Sequence, residues 1–380
     1  MKNAALIFIT LVLTTGSVMA QQVRVQERME GLLMGAFIGD AAGGPPEFQT
    51  PVRSQWVTRG KPLDGEAIQA LGRLYSMKAY NRKAEPYAHW VDFAPAGTIT
   101  DDSRHKIMFL EAVKKASKTD RRVFAQTMIE WYESDEERYK SIREEALREY
   151  VKAAYWETGD TQKGLPLQRL WGGIPTQAGQ MFLLPIAGIH PGEPEKAYRA
   201  AYEVNFVDIG IAKDINAALA AGLSAALHPE ADWAYIEKNM RETDPYDFAK
   251  VPWVERRFEY WLNKAQFLAK ESGGDPQKLF KLLEENLETR QWWDAWVPHT
   301  VFFAIAEITG YDPLATLQLI NEFGYDTDSY AQLGGAFFGA LHGAEVFPKE
   351  MRDLVRLRLK EQFDISFDDL VAVMIQAQGK

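Results

Sequence analysis

Helical periodicity dominates this sequence and limits the folds that it can adopt. Stretches such as SRHKIMFLEAVKKASK and EKAYRAAYEVNF carry apolar residues three and four positions apart, with charged residues on the opposite face. Alternating apolar and polar runs bounded by turn residues, the pattern of half-buried strands, are scarce. We therefore predict an all-α fold that forms a single compact helical domain over residues 21–380.

Two glycine ladders indicate which helices lie at the centre of that domain. In GLLMGAFIGDAAGG and again in GGAFFGALHGAEV, a glycine recurs every fourth residue, at 31, 35 and 39 and at 335, 339 and 343. This spacing places the glycines along one side of each helix. A helical glycine costs about 1 kcal/mol relative to alanine, and close approach of two helix backbones would offset that loss. We predict a tightly packed central helix pair.

The N-terminal segment MKNAALIFITLVLTTGSVMAQQ is typical of a cleavable signal peptide. It contains one lysine, a short apolar run, and small residues ending in Val18-Met19-Ala20. We predict cleavage after residue 20 and a periplasmic or secreted protein; the alternative is a buried first helix. The apolar run is short for a transmembrane span. The chain has no cysteine, which excludes a lipid-modified cysteine as an anchor, disulfides, thiol nucleophiles and Cys-ligated zinc.

The charge balance argues against one class of partner. The chain carries 43 Lys and Arg against 53 Asp and Glu, a formal net charge of −10, and no long basic run. A nucleic-acid backbone is bound mainly by clustered Lys and Arg, so we expect no nucleic-acid partner. Where carboxylates converge, such a protein would attract divalent cations instead.

Two acidic motifs near opposite ends of the chain share one pattern. GTITDDS contains Asp101 and Asp102, and GYDTDSYAQL contains Asp326 and Asp328. Each motif begins with a glycine, continues with Asp and hydroxyl side chains, and leads into an apolar helix. One reading is ordinary helix capping, which Thr, Ser and Asp favour. The other is that folding brings the motifs together around a cation.

The donor atoms limit which cation such a site would bind. Carboxylate and hydroxyl oxygens are hard donors, suited to Mg²⁺, Mn²⁺ or Ca²⁺ rather than copper or structural zinc. Four or five carboxylates in one place would suit two ions that share ligands. A further acid, Glu47, follows a Gly-Gly-Pro-Pro turn in GDAAGGPPEF; taken alone, it reads as an ordinary loop acid.

Together these segments resemble the ADP-ribosylglycohydrolase family, which includes the dinitrogenase reductase-activating glycohydrolase. GLLMGAFIGDAAGGPPEF resembles the opening signature of the family, TDDS its T-D-D-[TS] motif, and GYDTDSYAQLGGAFFGALHG its closing G-x-D-T-D-[TS] motif. LPIAGIHPGEPEKAYRAAYEV is similar to the helix pair in the middle of the family's domain. The match extends over roughly residues 26–348 and is loose in its middle part.

This resemblance implies a compact orthogonal helical bundle with a central pair of Mg²⁺ or Mn²⁺ ions. It further implies a hydrolase that cleaves an N- or O-glycosidic ADP-ribosyl bond at the ribose anomeric carbon, in a small-molecule or protein-linked substrate. Glu47 and Asp102 would be the catalytic residues, with Glu47 a general acid or base. The implied metal ligands are Thr100, Asp101, Asp102, Asp326, Asp328 and Ser329.

Several other polar and aromatic residues are candidates for substrate contact. Gln177 and Gln180 follow a Gly-Pro loop in WGGIPTQAGQ, and Asp208 interrupts an apolar segment. Trp296 belongs to the aromatic-rich stretch RQWWDAWVPHT, which could stack a base or line a sugar subsite, and His299 follows Pro298 in the same stretch. Helix-surface placement for Asp208 and core packing for Trp296 and His299 are the ordinary alternatives.

Export leaves the substrate open, because mono-ADP-ribosylation is mainly intracellular. A hydrolase of the same fold could act on a different N- or O-glycoside or on a nucleoside. A non-catalytic sugar- or nucleotide-binding protein is a third reading, which the intact TDDS and DTDS motifs disfavour.

Overall fold

Helices make up the regular secondary structure of the residues that the structure, a computed structural model, describes. These are residues 2–44, 46–47, 97–136, 145–289 and 291–379, with side chains described from residue 22 onward except at 145 and 146. No β-strand occurs in these ranges, where Thr176 and Asp294 form an isolated antiparallel bridge. The predicted all-α fold is confirmed.

The helices follow one another through short connections over most of the described chain. In chain order they are α1 Lys2–Gly43, α2 Asp101–Ala116, α3 Arg121–Glu133, α4 Glu145–Thr158, α5 Ala178–Leu183, α6 Ile186–Ile189, α7 Pro194–Val204, α8 Ile211–Ala226, α9 Trp233–Glu242, α10 Arg257–Ser272, α11 Pro276–Asn286, α12 Val297–Ile308, α13 Pro313–Phe323, α14 Thr327–His342, α15 Lys349–Phe363 and α16 Phe367–Ala377. Short 3₁₀ segments cover Leu167–Gly173, Phe248–Lys250 and Ala344–Val346.

The two glycine ladders face each other where α1 packs along α14. A Cβ atom added at Gly31 would lie 2.1 Å from the carbonyl oxygen of Gly339, and one at Gly335 would lie 2.0 Å from that of Gly35. Any side chain at these positions would overlap the backbone of the partner helix. The predicted central helix pair is therefore confirmed, and its glycines allow the two backbones to touch.

Three of the longer helices, α8, α12 and α14, are buried on nearly all sides and form the centre of the bundle. Nearly every residue of α8 and α14 is buried, as are those of α12 from Val297 to Ala306. Helices that are apolar all round are typical of the core of a large domain. Amphipathic helices surround them: α7 and α9 pack on α8, and α10 packs on α12.

The end of α1 meets the N-terminus of α14. A Cβ atom added at Gly43 would lie 2.4 Å from Cα of Asp328, and the Thr327 hydroxyl donates to the Gly43 carbonyl oxygen at 2.6 Å. Thr100 forms the N-cap of α2, with its side chain accepting a hydrogen bond from the Asp102 amide at 3.3 Å. Both acidic motifs thus lie at helix N-termini, where the helix dipole favours negative charge.

Residues 2–20 form the first part of α1, which continues without interruption to Gly43. None of the described helices combines the length and the hydropathy that crossing a membrane would require. The signal peptide assigned to residues 1–20 stays a prediction.

Candidate metal centre

Five acidic side chains from three parts of the chain meet in two groups of three. Glu47, Asp326 and Asp328 each offer a carboxylate oxygen within 4.8 Å of the others, and Asp101, Asp102 and Asp328 do the same. Asp328 belongs to both groups. Folding thus joins the two acidic motifs, and capping alone does not account for them.

Asp328 carries a carboxylate oxygen that lacks a partner among the described residues. Its side chain is 1% exposed; Oδ1 accepts the Ser329 amide at 2.9 Å, whereas the buried Oδ2 has no hydrogen bond. Leaving a buried acceptor unsatisfied costs roughly 1–3 kcal/mol, and more when it is charged. An ion between the two groups would satisfy this oxygen.

The neighbouring polar side chains hold Asp102 in place. The Ser329 hydroxyl donates to both Asp102 carboxylate oxygens, at 3.3 and 3.2 Å, and the Gln332 amide nitrogen donates to Oδ1. Asp102 is 2% exposed, whereas Asp101 is partly exposed. The two adjacent acids therefore differ: Asp102 is fixed by hydrogen bonds, and Asp101 reaches the cavity from its edge.

Asp40 is a buried acid at this site that the sequence analysis did not select. It lies in the last turn of α1 and accepts the Thr100 amide at 3.2 and 3.0 Å, together with the Thr100 hydroxyl. A signal was present in the sequence, because Asp40 is the one ionisable residue in a stretch, residues 31–44, otherwise made of small and apolar residues. Asp40 therefore fixes the position of the Thr100 hydroxyl, which caps α2.

Burial and mutual repulsion strongly perturb these acids. Burial, followed by the charge of Asp328, raises the pKa of Asp40 to about 6. The same two causes raise the pKa of Asp102 well above its usual value, and burial, Asp328 and Glu47 raise that of Asp326. Crowded, buried carboxylates favour a bound proton or a bound cation.

The donor set fits hard divalent cations. All of the atoms available in the two groups are oxygens, as Mg²⁺, Mn²⁺ and Ca²⁺ prefer. The hydroxyls of Thr100 and Ser329 lie beside the carboxylates, each already in a hydrogen bond with an acid. The buried acidic groups could therefore hold metal ions, and the sharing of Asp328 suits two ions with a common ligand.

Gln177 connects a neighbouring loop to the acids. Its amide nitrogen donates to Asp326 Oδ2 at 2.5 Å and to the Ser329 hydroxyl at 2.6 Å, while its carbonyl oxygen is buried without a partner among the described residues. Its backbone amide donates to the Trp293 carbonyl at 3.1 Å. The loop is thus tied to the aromatic-rich segment, and a free acceptor remains beside the acids.

A cavity of about 50 Å³ opens between the acids and a set of aromatic side chains. This volume suits ions and water better than a whole nucleotide. Its aromatic lining consists of Tyr150, Trp171 and Trp293. Trp171 has a left-handed backbone (φ +48°), and its buried indole Nε1 has no hydrogen-bond partner among the described residues.

A larger cavity, about 750 Å³, lies at the opposite end of the α1–α14 pair. Arg24, Arg28 and His342 are among its lining residues, and neither acid group borders it. Size alone therefore does not identify the functional site, since the convergent carboxylates border the smaller space.

Asp208 and Gln180, two of the predicted substrate contacts, lie outside the small cavity and contact the segment that carries Gln177. Asp208 accepts the Gly179 amide at 3.1 and 3.0 Å and the Asn205 side chain at 2.7 Å. Gln180 donates to the Ala295 carbonyl at 3.1 Å. Neither borders the small cavity. Both hold the segment that carries Gln177, and substrate contact by either stays a prediction.

The aromatic-rich segment divides between core and cavity. Trp296 stacks on Trp261 at 5.5 Å between ring centroids and donates from Nε1 to the Leu287 carbonyl. His299 is buried against Phe258. Trp296 and His299 do not line the small cavity, whereas Trp293 does. Substrate contact by Trp296 and His299 stays a prediction, and both make the core contacts described by the alternative reading.

Asp208 provides a test of pH dependence outside the acid groups. Burial raises the pKa of its carboxyl to about 7, above the unfolded value near 3.9. Its contribution to stability is therefore complete below about pH 4 and is lost as the pH rises through 7, at about 1.4 kcal/mol per pKa unit. In chelator, the free energy of unfolding of Asp208→Asn should fall less between pH 5 and 7 than that of the wild type. Urea denaturation at each pH measures this, and equal slopes would contradict the assignment.

Two further residues beneath the acids were also missed by sequence reasoning. Lys106 lies one helical turn after Asp102, and Gln332 lies one turn after Asp328. Burial lowers the pKa of the Lys106 ammonium to about 8, although the negative charge of the surrounding acids acts to raise it. The four-residue spacing was the available signal, because it puts each residue on the same helix face as its acid.

Of two comparisons with known proteins, one was informative about the family of this chain. A search of curated proteins gives no significant match. The model of the ADP-ribosylglycohydrolase family matches residues 21–379, nearly the whole chain. Membership indicates a hydrolase with glycohydrolase activity of this type. On this match, the chain belongs to the ADP-ribosylglycohydrolase family.

Proposed function

We propose that this protein is an exported glycohydrolase that uses two divalent cations, Mg²⁺ or Mn²⁺, to cleave an ADP-ribosyl N- or O-glycosidic bond. The observation that carries the proposal is the pair of acid groups sharing Asp328, whose Oδ2 lacks a hydrogen-bond partner among the described residues. One ion would lie with Asp101 and Asp102, and the other with Glu47 and Asp326. Thr100 and Ser329 would supply neutral oxygens.

The side chains then divide the chemistry among them. When bound, such cations polarise water and orient sugar hydroxyls. Glu47 lies beside Asp326 and Asp328, where it would move a proton at the attacking water or at the leaving atom. Hydrolysis at the anomeric carbon passes through an oxocarbenium-like state, which the carboxylate of Asp102 would stabilise.

The cavity supports a role in holding the sugar. The unpartnered carbonyl oxygen of Gln177 would accept a hydrogen bond from a substrate hydroxyl, and the Trp171 indole would donate one. The small volume admits the reacting bond, so the remainder of the substrate would lie outside this space. Tyr150 and Trp293 would flank the sugar with apolar faces.

The alternative, a same-fold hydrolase acting on another glycoside or nucleoside, is favoured by one observation. The described residues that line the cavity include no lysine or arginine, so a diphosphate would need its contacts outside this space, whereas a nucleoside or simple glycoside needs none. Export also separates the protein from most intracellular ADP-ribosylation. What supports export is the sequence of residues 1–20, together with a family match that begins at residue 21.

An activity screen distinguishes these substrates. The purified protein is incubated with ADP-ribosyl-arginine, ADP-ribosyl-serine and nucleosides, in Mg²⁺, in Mn²⁺ and in chelator, and products are identified by mass spectrometry. Release of ADP-ribose only with metal supports the proposal. Release of free base or sugar from nucleosides alone supports the alternative, and turnover unaffected by chelator contradicts the metal assignment.

Glu47→Gln tests the proton-transfer role. A positioned general acid or base contributes typically 10²–10⁴-fold, so kcat should fall by about that factor. Because the amide keeps an oxygen but loses the charge, Mn²⁺ should bind more weakly beside Asp326 and Asp328, so kcat is compared at saturating Mn²⁺, with binding measured by calorimetry. Unchanged kcat and pH profile would remove Glu47 from the mechanism.

A further inference from the structure

Lys106 is a cation buried directly beneath the acid groups. It is completely buried on α2, and its ammonium donates to the backbone carbonyls of Asp102 at 3.0 Å and Met181 at 3.1 Å, and to Gln332 Oε1. An ammonium group has three N–H donors and no acceptor. All three are therefore used, and the third fixes a side chain on the facing helix α14.

Gln332 carries this contact onward to Asp102. Its carbonyl oxygen accepts from Lys106, while its amide nitrogen donates to Asp102 Oδ1. The two ends of an amide are not interchangeable here. If the amide were flipped, its NH₂ group would face the ammonium and its carbonyl would face a carboxylate, so both contacts would be lost. The positive charge of Lys106 thus sets the orientation of Gln332.

We propose that Lys106 is a positioning residue for the metal centre, which orients the Gln332 amide so that Asp102 is held ready for the ion that it shares with Asp101 and Asp328. The inference rests on the proposed metal-dependent function. Asp102 receives hydrogen bonds from Gln332 on one side and Ser329 on the other. Without Lys106, the Gln332 amide could rotate and leave the carboxylate free to turn.

Core packing does not require a charge at this position. Burial of an ammonium is costly unless it is fully hydrogen-bonded, and an apolar side chain of similar length often packs as well or better. A purely structural lysine would affect stability without affecting metal affinity through Gln332. If Lys106 is a positioning residue, its effect on metal affinity depends on the presence of Gln332. If it is only structural, substitutions at Lys106 and Gln332 act independently.

The test is a double-mutant cycle on Mn²⁺ affinity, measured by calorimetry with the full chain. Lys106→Met and Gln332→Leu should each weaken Mn²⁺ binding by about 10–100-fold, the usual effect of losing a residue that orients a ligand. The double variant should bind Mn²⁺ no more weakly than the single variant that has the lower affinity. Lys106→Gln, which keeps hydrogen-bonding groups, serves if Lys106→Met does not fold, and it should also weaken binding.

Arg104→Met is the matched control, because it removes a buried cation from the same helix. Arg104 donates to the Ile99 carbonyl at 3.1 Å and lies over the Phe363 ring. It should leave Mn²⁺ affinity within about twofold while lowering the melting temperature. Wild-type affinity in the Lys106 variants, or independent effects in the cycle, would overturn the inference. Failure of the wild type to bind Mn²⁺ would overturn the proposed function itself.

Discussion

Asp328→Asn should abolish metal-dependent turnover and leave the fold intact. Asp328 is the one acid common to both groups, so removing its charge weakens both ion positions together. Losing a residue that only orients a ligand costs about 10–100-fold in metal affinity or activity, and loss of a shared ligand should exceed that range. Asparagine keeps Oδ1, which can still accept the Ser329 amide, so the start of α14 should be preserved.

Three measurements on Asp328→Asn separate the site from the fold. Turnover and Mn²⁺ binding should both be lost, and the far-UV circular dichroism should match the wild type. Asp312→Asn is the control, because Asp312 caps α13 through the Ala315 amide and belongs to neither acid group. Its activity should be unchanged. An Asp328→Asn protein that binds two Mn²⁺ ions with wild-type affinity would refute the shared-ligand arrangement.

Alanine at Gly339 or Gly335 should destabilise the protein by at least about 3 kcal/mol, well above the usual effect of a single substitution. The added Cβ at Gly339 would lie 1.9 Å from the Gly31 carbonyl oxygen, and that at Gly335 would lie 2.0 Å from the Gly35 carbonyl oxygen. Backbone cannot move aside as a flexible side chain can. The helices must separate, and the acids of α1 and α14 would separate with them.

Gly334→Ala is the matched control on the same helix. Its Cβ would meet the Phe302 ring at 3.0 Å and Leu317 at 3.5 Å, side chains that can adjust. The gain of about 1 kcal/mol in helix propensity offsets part of that strain. Urea denaturation should therefore show a much smaller loss than for its neighbour Gly335→Ala. Similar losses at the two positions would contradict the close backbone contact.

The fold class and the central helix pair could be predicted from the sequence because both depend on local spacing. Apolar residues spaced three and four positions apart predict helices, and glycines spaced four positions apart predict that they share one helix face. The meeting of residues 100–102 with residues 326–329 is a different matter. It depends on how more than two hundred intervening residues pack, so the acidic motifs indicated a site only through their common pattern and their resemblance to a family.

Residues within buried helices were hard to recognise in the sequence. Asp40, Lys106 and Gln332 lie in those parts of α1, α2 and α14 that are buried on all sides, where the usual division into an apolar and a polar helix face is lost. A single polar residue there reads as a surface position until the neighbours are known. The four-residue spacing from Asp102 and Asp328 was the clue for Lys106 and Gln332, and the small and apolar residues around Asp40 were the clue for that acid.

The aromatic segment illustrates a second limit. Trp292 and Trp293 lie in an irregular stretch before α12 begins at Val297. Without a helical or extended period, sequence spacing does not say which ring faces inward. Trp292 stacks on Tyr325, Trp293 lines the cavity, and Trp296 packs on Trp261.

A crystal of the protein grown in Mn²⁺, with anomalous diffraction recorded on both sides of the manganese absorption edge, tests the dinuclear assignment directly. We expect two edge-dependent peaks, one beside Asp101 and Asp102 and one beside Glu47 and Asp326, with Asp328 touching both. An ordered set of these carboxylates with no anomalous peak among them would contradict the assignment.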